Sequence, residues 1–215
     1  MARVYAVVAA AGKSTRMGGV NKQLLPLSGI PVLIRSLYAL DRVPEVLGII
    51  LVASPDNVLE FREATARWGL EKVIAVVPGG ENRQQSVFSG LLAVPFDCEI
   101  VLVHDGARPL VTRKEIKDLI AAVVDFGAAT LAVPVKDTVK EASPDGFVAG
   151  TPDRYKLWLT LTPQGFSFGL LLAAHRLAGE KGVLHTDDAS LVEAYGGRVK
   201  IVGGSYGNIK ITTPE

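Results

Sequence analysis

Cysteine is almost missing from this 215-residue chain: Cys98 is the only one, so no disulfide can form within it. A small secreted scaffold stapled by disulfides is therefore excluded, and the shortage fits a reducing compartment, so a cytoplasmic location is expected. Cys98 precedes a β-branched run at residues 100–103 and reads as an inert core thiol. Charge of one sign is missing too. The 23 Lys and Arg nearly balance the 22 Asp and Glu, leaving +1. No global basic field attracts nucleic acid, so any cation that acts must act locally. No apolar run approaches the roughly 18 residues of a membrane span. The first apolar segment begins at residue 4, which is too early for a secretory leader to precede it. The three histidines, His104, His175 and His185, have no metal-ligand spacing among them.

What is present is ordinary for a folded α/β chain. Hydrophobic residues make up 48% and charged residues 21%, enough for one domain with a full core and no long disorder. Short β-branched runs at residues 4–9, 47–53, 73–77, 100–103 and 128–135 alternate with helical patterns. Those patterns begin at Pro31, at Ser54-Pro55, at Asn82 and at Thr112, where Glu115 completes a capping box. The alternation predicts a mostly parallel sheet with helices on both faces. Later segments predict a core run at 157–162, helices at 166–179 and from a 186–188 cap to Tyr195, and final strands at 199–202 and 209–212.

Sites in such sheets lie at the carboxyl ends of strands. Three polar clusters fall there: the loop after residue 9, Gly79-Gly80, and residues 105–108. The first is the richest. Ala9, Ala10, Ala11 and Gly12 let a ligand approach the backbone, and the cations Lys13, Arg16 and Lys22 follow, with Gly18 and Gly19 among them. Small residues and cations after a strand suit a phosphate group. Gly12-Lys13-Ser14-Thr15 has the tail of a P-loop, but the glycine needed five residues earlier is Val7, which sits inside the strand. Asp105 could be a Walker-B-like carboxylate lacking that partner, a structural cap, or a site residue; Arg108 beside it favours the last. His175 falls in a helical pattern and reads as a surface or packing residue. His185, next to Thr186, could touch substrate, whereas Trp68 and Trp158 read as packing residues and Lys136 and Lys140 as solvated.

Residues 136–162 break the rhythm. Segments 135–140 and 147–151 alternate in polarity around Ser143-Pro144-Asp145-Gly146, a hairpin signal. A hairpin this small must pack on something, which makes it a candidate arm exchanged between subunits.

The stretches AAAGKSTRM, NKQ, PGGENRQQSV, HDGARP, PVKDTVK, LTPQ, TDDAS and NIKIT, taken together and in this order, resemble the 2-C-methyl-D-erythritol 4-phosphate cytidylyltransferase family of nucleotidyltransferases over nearly the whole chain. Each alone is weak; the set is specific. The resemblance implies a Rossmann-like three-layer α/β sandwich, with a mostly parallel central sheet and a protruding β-arm at 136–154 in one nucleotidyltransferase domain. It implies transfer of CMP from CTP to 2-C-methyl-D-erythritol 4-phosphate, giving 4-diphosphocytidyl-2-C-methyl-D-erythritol and pyrophosphate. Arg16 and Lys22 would be catalytic, stabilising the triphosphate and the charge developing on it. Ala10, Ala11 and Gly12 would line the nucleotide site, with Gly80, Glu81 and Ser86 about the cytosine and Arg83 in the same segment. Asp105, Ala107 and Arg108 would lie near the ribose, the metal and the second substrate. Thr138 and Arg154 would reach the polyol phosphate of the neighbouring subunit in a homodimer with exchanged arms, and Thr162, Thr186 and Lys210 would complete that site. Mg²⁺ is expected chiefly on the triphosphate oxygens. Three departures stand out: Ser14 replaces a second glycine, Gly106 stands where alanine is common, and the chain stops at Glu215 where relatives usually continue into a last helix.

Two other readings compete. A ribitol 5-phosphate cytidylyltransferase would use the same first loop, although residues 104–109 and the Thr186 segment lean away from it. A non-catalytic nucleotide-binding regulator on the same fold would have no reason to keep Arg16, Lys22, Asp105, Arg154 and Lys210 together.

Overall fold

The computed structural model describes residues 2–12 and 23–212. Lys13, Arg16 and Lys22, with the Gly18-Gly19 pair, lie outside the described residues.

Seven strands form one sheet in the order β11-β7-β10-β6-β1-β4-β5. They are β1 (Val4–Ala10), β4 (Val46–Ala53), β5 (Val73–Pro78), β6 (Ile100–Asp105), β7 (Ala128–Pro134), β10 (Trp158–Ser167) and β11 (Lys200–Gly203). Two-residue strands β2 (Pro26–Leu27) and β3 (Ile30–Pro31) pair with each other, as do β8 (Glu141–Ala142) and β9 (Val148–Gly150). Every pair in the main sheet is parallel except those of β10, which runs antiparallel to both β6 and β7. The sequence pattern predicted the parallel half of this sheet. It did not predict the antiparallel course of β10, and residues 158–160, read as part of a core run, are exposed.

The strands are buried on both faces, as their runs of Val and Ile require. Alternate residues divide between two cores. Ala6, Val8 and Leu51 face Leu33, Leu37, Phe61, Ile116 and Leu119, which belong to helices α1 (Val32–Asp41), α2 (Val58–Arg67) and α4 (Arg113–Phe126). Val7, Ile50 and Val103 face Val87, Leu91, Leu171, Ala174 and Leu191, which belong to α3 (Arg83–Leu92), α5 (Phe168–Lys181) and α6 (Asp188–Ala194). A sheet thus lies between two helical layers. Gly90 lets α3 sit directly on it: a Cβ there would stand 2.5 Å from Val7 Cγ1.

Local signals act where the sequence placed them, with adjustments. Thr112 and Glu115 form the capping box of α4, and Gly127 ends that helix at φ 78°. Pro31 caps α1 instead of entering it, and a short 3-10 turn at Pro55–Asn57 precedes α2. Helix α5 begins at Phe168, not residue 166, because Phe166 is fully buried in β10. Asp187, not Thr186, caps α6, accepting from the Ser190 amide. Residues 209–212 form no strand: Ile211 N donates to Ala107 O, a single tie rather than a ladder. The hairpin is shorter than predicted. Its first limb stays out of the ladder because Val135 N donates to Leu157 O, Lys136 Nζ lies 3.7 Å over the Tyr206 ring, and Arg154 Nη1 donates to Lys136 O.

Candidate active site

The strand order turns between β1 and β6: the chain goes outward from β1 to β4 and β5, then crosses back to β6 on the other side. Such a switch point opens a crevice at the carboxyl ends of the strands. A cavity of about 410 Å³ lies there, lined by Ala9, Ala11, Gly12, Gln23, Gly80, Glu81, Asn82, Arg83, Ser86, Asp105, Ala107 and Lys210. The three clusters expected to converge do so. The strand's period of two sends Ala10 into the core, 3% exposed, so Ala9 and Ala11 present their side chains to the cavity and Ala10 does not.

The floor is made of small groups for a steric reason. A Cβ on Gly79 would stand 2.6 Å from Ala11 Cβ and 2.7 Å from Ser86 Oγ, and one on Gly80 would stand 2.5 Å from Gln85 Cβ. Ser86 Oγ accepts from Gly80 N at 3.2 Å, and Asn82 caps α3 by accepting from Gln85 N. The 79–86 turn is thereby fixed against the end of β1. Gly106, where alanine was noted as common, sits close under the site; a Cβ would meet Leu33 Cδ1 at 3.0 Å and Gln23 Oε1 at 3.1 Å.

Asp105 is the electrostatic centre. Its side chain is 9% exposed, and Oδ2 lies 2.8 Å from Lys210 Nζ and 3.7 Å from Arg108 Nε, while Oδ1 lies 3.4 Å from Arg83 Nε. Burial alone would raise its pKa, but the charges of Arg83 and Lys210 outweigh burial and hold the carboxyl well below the usual carboxylate range. Arg83 also gives Nη1 to Asp188 Oδ2 at 2.7 Å. Burial works against its charge, and the two carboxylates more than compensate. Arg108 donates through Nη1 to Asn208 O at 2.7 Å, and Asn208 Nδ2 donates to Thr162 O. Asn208 therefore ties the segment carrying Lys210 to the strand end. Asn208 lies in the NIKIT stretch, but nothing in the sequence marks it as this tie.

His104, Thr162 and Asp105 form an ordered chain. Burial pushes the His104 imidazole down to about 4, so it is neutral at pH 7. Its Nε2 lies 3.2 Å from the Arg108 carbonyl, which can only accept, so Nε2 carries the proton and Nδ1 is the acceptor. Thr162 then donates to Nδ1 at 3.0 Å and accepts from the Asp105 amide at 3.0 Å. Thr162 thus holds the strand end from below, with its hydroxyl fully used inside the protein.

The remaining expected residues fall elsewhere. Thr186 is exposed, one residue before the α6 cap. Thr138 and Arg154 lie on the arm and are not among the residues lining the cavity. His185 takes part through its backbone, donating to Gln84 Oε1. His175, read as a surface or packing residue, is a buried hydrogen-bonding group: 3% exposed, with Nε2 3.0 Å from Asp188 Oδ1. It is held between Asp188, the first residue of α6, and the ring of Phe88. Cys98 is buried and its thiol is pushed up to about 12, mainly by burial, in keeping with an inert thiol. No group of three or more His, Cys, Asp or Glu could hold a metal among the described residues, and no helix there is long and apolar enough to cross a membrane.

A switch-point crevice floored by glycines and walled by cations defines a nucleotide-binding α/β protein of the doubly wound class. Sequence comparison narrows this. The family described as "IspD: 2-C-methyl-D-erythritol 4-phosphate cytidylyltransferase" matches residues 4–215, and the chain belongs to that family. A curated relative of that name from Desulforamulus reducens is 52% identical, over 100% of this chain and 93% of its own. A 4-diphosphocytidyl-2C-methyl-D-erythritol synthase structure from Anaerococcus prevotii superposes with a TM-score of 0.88 at 32% identity, covering 99% of this chain and 92% of that one. A Francisella tularensis 2-C-methyl-D-erythritol 4-phosphate cytidylyltransferase superposes at 0.84 with 30% identity, covering 99% and 95%.

Proposed function

We propose that this chain transfers CMP from CTP to 2-C-methyl-D-erythritol 4-phosphate, releasing pyrophosphate and forming 4-diphosphocytidyl-2-C-methyl-D-erythritol. The observation that carries the reading is the single cavity joining Gly80, Glu81 and Ser86 to the Asp105–Lys210 pair, in a chain of this family. In this reading the 79–86 turn holds the cytosine. The cavity's far side, at Asp105 and Lys210, receives the ribose, the phosphates and the polyol phosphate.

The nucleophile is a phosphate monoester oxygen whose second pKa is about 6, so it is mostly dianionic at neutral pH. It attacks the α-phosphorus of CTP, a new P–O bond forms, and the bond to the β-phosphate oxygen breaks with pyrophosphate leaving. No protein base is required. The obstacle is bringing two anions together, and it is met by positioning and charge. Arg16 and Lys22 act on the triphosphate, and Lys210 and Arg154 act on the incoming phosphate. Mg²⁺ supplies further neutralisation of the triphosphate. Of the described lining residues, Glu81 and Asp105 are carboxylates, and three cations already surround Asp105. That donor set would suit a metal carried mainly by phosphate oxygens and water, with Asp105 or Glu81 as the carboxylates that could hold it.

Residues 136–154 serve as a dimerisation arm exchanged between two copies in this reading. The support is a run of exposed apolar side chains on and beside it, Phe147 at 72%, Val148 at 63%, Tyr155 at 81% and Leu159 at 54%. Arg154 and Thr138 then serve the partner's cavity. Thr186 is assigned to the polyol phosphate on the family resemblance, and a cytoplasmic location fits the single cysteine. Pyrophosphate release from CTP tests the reading: it should require the methylerythritol phosphate, and ATP or GTP should not replace CTP. Equal turnover with ATP would reject the pocket assignment at 79–86.

A further inference from the structure

Outside the cavity, one buried polar line runs inward from α5 to the pocket wall and has no part in the mechanism above. His175, on α5, has its ring stacked on Phe88 of α3 at 5.9 Å and 13°. Its Nε2 lies 3.0 Å from Asp188 Oδ1. A carboxylate only accepts, so Nε2 carries the proton. Asp188 is 1% exposed; its backbone amide donates to Gln164 Oε1, and its other oxygen takes Arg83 Nη1 at 2.7 Å. Arg83 lines the cavity and turns its Nε toward Asp105 at 3.4 Å. The line therefore joins three helices and ends on the guanidinium that borders the 79–86 turn.

We infer that His175 is a positioning residue for the nucleotide pocket, holding Asp188 in the rotamer that fixes Arg83 at the cavity wall. The inference rests on the reading of that cavity as the CTP site. No other donor to Asp188 Oδ1 is recorded among the described residues, so without His175 this buried oxygen loses its bond and the carboxylate is free to turn. Arg83 then has Asp105 as its one remaining fixed partner and can tilt across the space of the nucleotide. Gln84 holds the same junction from the other side, donating to Val183 O and accepting from His185 N, so the backbone around the line stays clamped. The effect of losing His175 is thereby confined to side-chain orientation.

Three variants separate this role from simple packing. In His175→Gln the longer amide places an N–H near the position of Nε2. In His175→Asn the amide falls short of Asp188, and His175→Leu fills the space without a donor. Each is measured for steady-state kinetics and, by calorimetry, for its CTP dissociation constant. The expected result is that His175→Gln stays within about threefold of the normal protein. His175→Asn and His175→Leu should raise the CTP dissociation constant and KM by about tenfold, leaving kcat and the KM for the polyol phosphate within about threefold. If all three behave alike, or if the loss falls equally on both substrates, His175 only fills space and the inference is wrong. Should His175→Leu fail to fold, the Gln and Asn pair alone decides it. A normal protein that binds no CTP would instead reject the reading of the cavity, which the calorimetry of the normal protein registers separately.

Discussion

Lys210 Nζ stands 2.8 Å from Asp105 Oδ2, so the 204–212 segment closes the cavity that opens at the end of β6. That segment is anchored at several points, by Gly204 N to Ala132 O, by Ser205 N to Glu115 Oε1 and by Asn208 Nδ2 to Thr162 O. Lys210 is thus delivered to the site as a preorganised cation. Replacing it in Lys210→Met should lower kcat/KM for the polyol phosphate by about 10²- to 10³-fold, the usual effect of removing one charge-stabilising group. Stability should change little, since the Lys210 side chain is 38% exposed. Near-normal kcat/KM in that variant would remove Lys210 from the chemistry.

The His104 chain predicts a pH dependence of stability with a definite sign. The folded-state pKa is lowered to about 4, whereas an unfolded histidine titrates near 6.5. Between those values the unfolded chain binds the extra proton, so stability is fully present above about pH 6.5 and is lost as pH falls toward 4, by at most about 1.4 kcal/mol per pH unit from this group. In His104→Gln the slope between pH 6.5 and 4.5 should be shallower. Asp105, also depressed, contributes only below the unfolded carboxylate value near 3.9, so it does not confuse the window. Denaturant titrations at several pH values measure both slopes; equal slopes would mean that His104 is protonated in the fold.

Glu115 joins two functions in one carboxylate. Oε2 accepts from the Thr112 amide and hydroxyl to cap α4, and Oε1 accepts from Ser205 N. Glu115→Ala should therefore destabilise the protein by about 1–3 kcal/mol, the range for lost caps and orphaned buried donors. It should also reduce activity beyond what folding loss explains, because the Lys210 segment loses an anchor. Glu115→Gln, which keeps an acceptor at one position, should fall between. Destabilisation with untouched kcat/KM would show that the segment does not depend on this tie.

The arm predicts complementation between subunits. Arg154→Ala and Arg16→Ala proteins, each inactive alone, are mixed under conditions that let subunits exchange. One site of the mixed dimer would hold an intact Arg16 from one chain and an intact Arg154 from the other. Activity should return, approaching half that of a normal dimer's two sites. Confirmed exchange without recovered activity would mean that Arg154 serves its own chain.

The strand-ended clusters, the Thr112 capping box and the parallel half of the sheet were legible because each is a local signal, with a periodicity or a cap within a few residues of its cause. What escaped reading depends on long-range pairing. Strand β10 is antiparallel between two parallel neighbours, held by a ladder to β6 from Gln164 to Ser167 and a ladder to β7 from Trp158 to Phe166, and no signal within the strand itself announces either pairing. Asp188, Arg83 and Asp105 meet from three distant segments, so the sequence offered Asp105 and Arg83 as site residues without their shared partner. His175 could be read only as a surface or packing residue, because a lone histidine in a helix has no local mark of burial; it packs, and its bond to Asp188 comes from a distant segment. Residues 209–212 look like a strand by composition, yet they are tied by the single bond from Ile211 N to Ala107 O and carry Lys210 to the cavity wall.

The most direct test of the account measures pyrophosphate released from CTP with 2-C-methyl-D-erythritol 4-phosphate and, in parallel, with ribitol 5-phosphate, identifying each product by mass. The account predicts rapid release with the first, one 4-diphosphocytidyl-2-C-methyl-D-erythritol formed per pyrophosphate, and little with the second. Preferred turnover of ribitol 5-phosphate, or no nucleotidyl product from either, would contradict it.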